Sequence, residues 1–345
     1  MKTCHKFLLL ILLSVFSSVA FAQVKEQAKT LVTEGIALHD AGKYDEAIAK
    51  YKEAMKIDPD YSNAYHEISF TLFSSGKGIE AIPYLEKLLK LDPSSGAAYD
   101  MLGSIYDDNK QVDKAIEYYK KGLTLAPGYQ RLHYNLAITY LREKKYPEAE
   151  AYAIEAIKLD PKHASSQRTY ALAALGQNKR LCSLMAFCSF LLLEPQTKRS
   201  AEAYDYIDKI FAAGADQKEI VITTDKNTKD ITPMSFAESS IVMAASASKA
   251  LEKVGAGSTQ ERLTNELKMV FTTTSKESAK VVTKDFFWKY YADYFGKLAE
   301  TENMEAFTRL ISLSAYKDEN LQWFKDNNAK LSALDAWATA TKREF

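Results

Sequence analysis

The chain has 345 residues, 47% apolar and 26% charged, with 45 Lys and Arg against 45 Asp and Glu. That composition is globular and excludes a disordered tail or a collagen-like rod. Without a basic excess, nothing marks a dedicated nucleic-acid binder, because phosphate binding needs one. At roughly 150 residues per domain, the length predicts two domains.

From the N-terminus, residues 1–22 read as a secretory signal. Lys2 and Lys6 make a positive start, Phe7 to Ala20 is apolar apart from serines, and Ala20-Phe21-Ala22 offers small residues at both cleavage positions. The apolar run is too short and Ser-rich for a membrane anchor. Cys4 precedes that run, so it does not mark lipid attachment. No later segment is long and apolar enough to span a bilayer. The expected location is therefore outside the cytoplasm, periplasmic or secreted. Cys182 and Cys188 remain, six apart in one expected helix, on different faces and too distant to bridge.

Self-similarity dominates the next stretch. Pro59, Pro93, Pro127, Pro161 and Pro195 are each 34 residues from the next, and most close a phrase such as Lys56-Ile57-Asp58-Pro59. With each proline as position 32, the units are 28–61, 62–95, 96–129, 130–163 and 164–197. Small residues recur at position 8 (Gly35, Ser69, Gly103, Ala137, Ala171) and at position 20 (Ala47, Ala81, Ala115, Ala149, Ser183). Large apolar residues recur at position 11 (Leu38, Leu72, Tyr106, Tyr140) and at position 24 (Tyr51, Leu85, Tyr119, Phe187), where Ala153 is the exception. Thirty-four residues hold two helices of three to four turns. Small residues let the paired backbones approach, and large ones fill the space beside them. Gly42 and Gly76 suit a left-handed helix end, Asp45 and Asp113 the start of the second helix, and the proline its stop. One pair cannot bury its apolar faces alone, so neighbours stack.

This pattern resembles the tetratricopeptide repeat family, over about half the chain. Unit three is the cleanest, with Tyr99, Leu102, Gly103, Tyr106, Ala115, Tyr119 and Pro127 in place. Glu34 in unit one, His133 and Ala153 in unit four and Gln167 in unit five depart from it. The resemblance implies an all-α fold: a right-handed solenoid of five helix pairs over 23–197, followed by a mainly helical C-terminal domain, 198–345.

Within that second part, Ser200 to Ala213 reads as a helix ended by Gly214. Glu219 to Thr224 and Ile231-Thr232 allow a small β-hairpin, limited by Pro233. Ser235 to Val254 reads as a helix, and Ser258-Thr259-Gln260-Glu261 as a capping box opening another. Helices are expected over Asp285 to Ala299, Thr301 to Tyr316 and Asn320 to Ala340. Leu181 to Leu193, in unit five, is apolar on every side. A terminal solenoid helix should be polar outside, so the downstream chain is expected to cover it. The competing reading is an apolar surface or homo-oligomer contact.

No catalytic motif stands out, and the chain reads as a non-enzyme without cofactor or metal. His66-Glu67 begins like a zinc-protease motif, but Phe70 replaces the second histidine. His39 and His66 could face one groove, yet solvated histidines are the commoner case. There is no Gly-x-Ser-x-Gly. Gly255-Ala256-Gly257 lacks the third glycine of a dinucleotide loop. The aromatic run Phe286 to Phe295 places Phe287, Tyr291, Tyr294 and Phe295 on one side, as in a core helix, leaving Trp288 as a candidate for stacking on a ligand.

In the family, positions 2, 5, 9, 12 and 13 of each first helix line a concave face. Carried onto this sequence, that face includes Lys29, Val32, Ile36 and His39 in unit one, and Asn63, His66, Phe70 and Phe73 in unit two. Asp100, Asp107 and Asp108 follow in unit three, Arg131, Tyr134 and Arg142 in unit four, and Arg168 in unit five. Val32 and Ile36 replace the Lys and Asn with which chaperone-binding members clamp a terminal carboxylate. Aromatic, acidic and basic groups side by side suit an extended peptide or a partner helix of mixed charge. The expected function is an exported scaffold holding a protein or peptide partner. The alternative is a sugar- or peptidoglycan-directed binding or hydrolytic activity in the C-terminal domain, betrayed by a pocket with two carboxylates or an exposed Trp288.

Overall fold

The computed structural model describes residues 23–216 and 231–345. The signal-like segment 1–22 and most of the hairpin segment 219–232 lie outside them. Among the described residues the structure is helical, with no β-strand. They divide into two compact units, one ending at Thr139 and the other running from Tyr140 to Phe345.

In the first unit, α1 (23–40), α2 (Tyr44–Ile57), α3 (Ser62–Ser74), α4 (Gly78–Leu91), α5 (Gly96–Asp108) and α6 (Val112–Leu125) form three hairpins, and α7 (Gln130–Arg142) spans the division. α3 packs on α4 and α5 on α6, Gly35 of α1 lies against Tyr51 of α2, and α3 also packs on α5. The core between them joins Val32, Tyr51, Ile68, Leu72, Leu85, Leu102 and Ile105. In the second unit, α8 (Tyr146–Leu159), α9 (Ala164–Gly176) and α10 (Arg180–Leu193) continue the same phrasing.

The turn inside every pair is the same. Gly42, Gly76, Lys110, Lys144 and Asn178, all at position 15, have positive φ of 57° to 78°. The next amide reaches back to a carbonyl five residues earlier, as in Lys77 N to Leu72 O at 2.8 Å and Lys179 N to Ala174 O at 2.9 Å. This closes the helix by the Schellman bond. Three of the five positions hold a side chain where glycine would be unstrained, so the turn is set by hairpin packing rather than by glycine alone. Asp45 is not the cap: it sits in the first turn of α2 and pairs with Lys77 at 2.9 Å, while Lys43 precedes the helix. Each second helix ends two residues before its proline.

The departures from the family pattern have partners. Tyr65, His133 and Gln167, all at position 4, bond the carbonyl of the preceding unit's closing proline at 2.9, 2.9 and 3.2 Å. A histidine or an amide thus does the work of the tyrosine hydroxyl. Glu34 pairs with Lys50 at 2.7 Å.

Downstream, α11 (Lys198–Ala215) opens with a Thr197–Ser200 capping box, and α12 (Pro233–Lys253) is followed by Gly255 and Gly257 at positive φ. The box at Ser258 is formed, with Glu261 accepting from the Ser258 amide at 2.6 Å, and it opens α13 (Thr259–Ser278). The aromatic segment makes a π-helical turn at Trp288–Ala292 that runs into α14 (Asp293–Ala299). α15 (Met304–Ile311) is shorter than expected. The last expected helix is two, α16 (Lys317–Asp326) and α17 (Asn328–Ala340). They break at Asn327, whose side chain donates to the Trp323 carbonyl, a local bond that competes with helix continuation.

The all-round apolar helix α10 is covered. Leu181 to Leu191 are all buried, and α9, α11, α12, α15 and the π turn pack on it. Gln167 is fully buried at the junction with the aromatic segment. It donates to the Tyr290 hydroxyl at 2.8 Å and accepts from that of Tyr291 at 2.6 Å. Cys182 and Cys188 are free and buried, and burial pushes the Cys182 thiol up to about 12 and Cys188 further still, so neither is a nucleophile at neutral pH. Of the apolar residues of α10, only Leu192 and Leu193, at its end, stay accessible.

Candidate functional site

In the first unit the first helices α1, α3 and α5 bring several expected groove residues together. Phe70 on α3 is 41% exposed, a large apolar ring held in water. It is held by His39 of α1, whose ring centroid lies 5.1 Å away and whose Nδ1 is 2.8 Å from the Thr71 hydroxyl. Thr71 is buried, so this bond fixes the imidazole across two helices. The Tyr44 ring also lies 5.2 Å from that of His39.

The second grouping is at the start of α5 and α7. Asp100 is only 2% exposed. Its carboxylate meets Arg131 Nε at 3.1 Å and accepts from Asn135 Nδ2 at 2.6 Å. Burial raises the Asp100 carboxyl above its ordinary value, against the pull of Arg131 and Asn135. Asn135 also lies 3.5 Å from the Ser104 hydroxyl, which is 3.2 Å from that of Tyr119. The acidic and basic groove patches read from the sequence therefore partly neutralise each other. Asp100 is an internal tie, and Arg131 covers it with a largely exposed side chain.

The remaining positions are more scattered. Lys29 is exposed and pairs only along its own helix, with Glu26 at 3.8 Å. Val32 is buried and Ile36 exposed. Asn63 is exposed, and His66 is half-buried against Glu67 at 3.1 Å. Phe73 is half-buried and belongs to the core rather than the surface. Asp107 and Tyr134 are half-buried and Asp108 is exposed. His39 and His66 thus have separate partners, and no group of three metal-ligating side chains occurs among the described residues. Asn135 and Thr71 were not singled out by sequence reasoning. The one available signal was a lone amide on the inner side of a first helix.

In the second unit Arg142 is exposed, and Arg168 pairs with Glu202 at 3.0 Å. Trp288 is 5% exposed, as buried as its neighbours Phe287, Tyr291, Tyr294 and Phe295, so it presents no stacking surface. Four carboxylates, Asp208, Asp216, Glu252 and Glu266, line one cleft of the second unit. Asp208 on α11 and Glu266 on α13 line about 440 Å³ together with Tyr204, Ser248, Lys249, Glu252, Arg262 and Tyr316. Burial raises Glu266 to about 7, with Asp208 and Glu252 adding to the shift and Ser248 and Arg262 opposing it. Burial also raises Asp208, with Tyr204 opposing it. A folded state that keeps the Glu266 proton more tightly than the unfolded chain loses stability as pH rises through that window. Glu266→Gln is therefore expected to leave stability near pH 4 unchanged. At pH 8 it should raise stability by up to about 3 kcal/mol, as read by urea unfolding at the two pH values.

Comparison with known proteins agrees with the helix pairs. A family model described as TPR repeat matches residues 35–76, and models described as tetratricopeptide repeat match 71–129 and 108–176. The comparison with curated proteins gives no match. Among solved structures, pilF of Pseudomonas aeruginosa is similar at 16% identity and a TM-score of 0.50, covering 68% of this chain and 95% of that one. A tetratricopeptide repeat protein from Parabacteroides merdae is similar at 15% identity and a TM-score of 0.45, covering 83% and 99%. The MamA protein is similar at 25% identity and a TM-score of 0.43, covering 49% and 93%. No helix among the described residues is long and apolar enough to cross a membrane. Matched models, the shared turn at position 15 and the proline stops together identify residues 35–176 as tetratricopeptide repeats.

Proposed function

We propose that the chain is an exported scaffold that holds an extended protein segment against the first helices of its first unit. The observation that carries this is Phe70. It is an exposed aromatic ring packed on His39, whose imidazole is tied to buried Thr71, beside α5 and α7, where the exposed arm of Arg131 lies over Asp100. A rigid aromatic anchor next to paired charge is how a groove grips a chain without a closed pocket. Export is supported by Lys2, Lys6, the apolar run and Ala20-Phe21-Ala22. It places the partner in the periplasm or outside the cell.

The test is crosslinking in the native cell envelope, with partner recovery compared between variants. Phe70→Ala is expected to lose the partner at unchanged unfolding midpoint, since an exposed ring adds little to the core. Arg131→Glu sets a second carboxylate beside buried Asp100. It is expected to cost about 1–2 kcal/mol of stability, so its loss of capture would be ambiguous where that of Phe70→Ala is not. Full partner recovery by Phe70→Ala overturns the groove.

The Asp208–Glu266 cleft favours a second reading, an envelope-polysaccharide activity in the second unit. A carboxylic acid still protonated near neutrality beside another carboxylate is the pair that glycosidic cleavage uses. Degradation of peptidoglycan by the purified chain, lost in Glu266→Gln, would establish it.

A further inference from the structure

Once the internal ties are counted, the charge left along the first helices of the first unit has one sign. Arg131 is engaged by buried Asp100, which Asn135 also holds. Neither α3 nor α5 contains a lysine or arginine, yet they carry Glu67, Asp107 and Asp108. The lysines of α1 stand in its first half. Lys29 is about 15 Å along the helix from His39 and pairs with Glu26 at 3.8 Å. The acids also stand where their own helices disfavour them. The last turn of a helix is the negative end of its dipole and favours a base. Instead α1 ends on Asp40 and α5 on Asp108, both exposed and both at position 13 of their repeats. A local rule broken twice at one position points to a site that an outside cation relieves.

These acids flank an apolar pair. Ile36 and Phe70, both at position 9, are 37% and 41% exposed. Asp40 follows Ile36 by four residues on α1, and Glu67 precedes Phe70 by three on α3. Those are the spacings at which side chains share a helix face. The two carboxylates also converge in space. Burial raises the Tyr51 hydroxyl above its ordinary value, Thr71 opposes this, and Glu67 and Asp40 add to the rise. Acids from α1 and α3 thus lie near one buried hydroxyl, close to the Thr71 side chain that holds His39. Glu67 itself meets His66 Nδ1 at 3.1 Å and stays partly open to water.

We infer that the segment held here is cationic: an extended peptide that lays an apolar side chain on Ile36 and Phe70 and points lysines or arginines toward Asp40, Glu67 and Asp108. Opposite charge around an apolar anchor steers such a chain and fixes its register. A lysine or arginine beside the open face of Phe70 gains from the ring as well. An acidic segment would meet like charge on α1, α3 and α5, which suppresses wrong partners. The inference rests on the groove reading of the first unit and adds to it the sign of the partner's charge.

The experiment uses the full chain to select from a phage-displayed library of random decapeptides. The selected sequences are remade as synthetic peptides, and their binding is followed by fluorescence anisotropy. They are expected to carry two or more lysines or arginines beside an aliphatic or aromatic residue, and to lack acidic ones. Their affinity should fall about tenfold between about 0.05 and 0.5 M salt. Phe70→Ala is expected to weaken them about tenfold or more. The double variant Asp40→Asn/Glu67→Gln is expected to weaken them about fivefold and to flatten the salt dependence. Asp40→Asn removes an acid from a helix end that disfavours it, so the fold is not at risk there. Selection of acidic or uncharged peptides that still need Phe70 overturns the inference and leaves the groove reading standing. Cationic peptides that need Phe70 but ignore the double variant also overturn it. Peptides indifferent to Phe70→Ala, or no selected peptide at all, overturn both.

Discussion

Gly103→Ser is expected to lower the stability of the first unit by about 2–3 kcal/mol, the usual cost of overpacking a filled core. A Cβ at Gly103 would lie 2.2 Å from the ring of Tyr119, and that ring is only 1% exposed, with its hydroxyl engaged by Ser104. The ring has nowhere to go. Repeat one shows the same pairing, since a Cβ at Gly35 would lie 2.4 Å from Tyr51. Repeat two solves the same space differently, with Ser69 at position 8 and Leu85 at position 24. The double variant Gly103→Ser/Tyr119→Leu copies that solution. It should be more stable than the sum of its two single changes by about 2 kcal/mol. Urea unfolding of the four proteins measures the coupling. Additive single effects would mean that the ring and the glycine do not share this space.

A chain truncated after Thr197 is expected to aggregate. The cut removes α11 to α17 and with them the cover that α11, α12, α15 and the π turn give α10, where Leu184, Met185, Phe187, Phe190 and Leu191 are all essentially inaccessible in the full chain. Each large apolar side chain returned to water costs about 1.5–3 kcal/mol. Baring even a few would consume the roughly 5–15 kcal/mol by which a domain is stable. Gln167 would also lose Tyr290 and Tyr291, its buried partners. Light scattering and dye binding to exposed apolar surface on the purified fragment report the outcome. A soluble monomer of native helicity would show that the downstream helices do not cap the repeats.

How much of this was legible depended on the range of the interaction. The turn at position 15 could be read at Gly42 and Gly76, because glycine announces a left-handed residue. At Lys110, Lys144 and Asn178 the residue gives weaker notice, and only the 34-residue register predicts the same turn. The cover over α10 was legible because the run Leu181 to Leu193 is apolar on every side and leaves no polar face to put in water. The break at Asn327 was not, since an apolar period continues on both sides and the interruption is a single side chain bonding its own backbone. The candidate groove was only half legible. The residue types were in place, but whether Asp100 met a partner molecule or Arg131 depended on a contact between successive first helices. Position 4 shows the same limit: His133 and Gln167 read as defects, yet both bond the proline carbonyl that Tyr65 bonds.

The primary structure alone determined the repeat, the helix pairs and their stops, because each follows from residues within one 34-residue phrase. Packing between distant segments decided which polar groups were already spent, such as Gln167 on a tyrosine 124 residues away and Asp100 on Arg131 and Asn135. A period records what recurs. A bond such as that of Gln167 to Tyr291 occurs once, and it exists only after α9 and the aromatic segment have met.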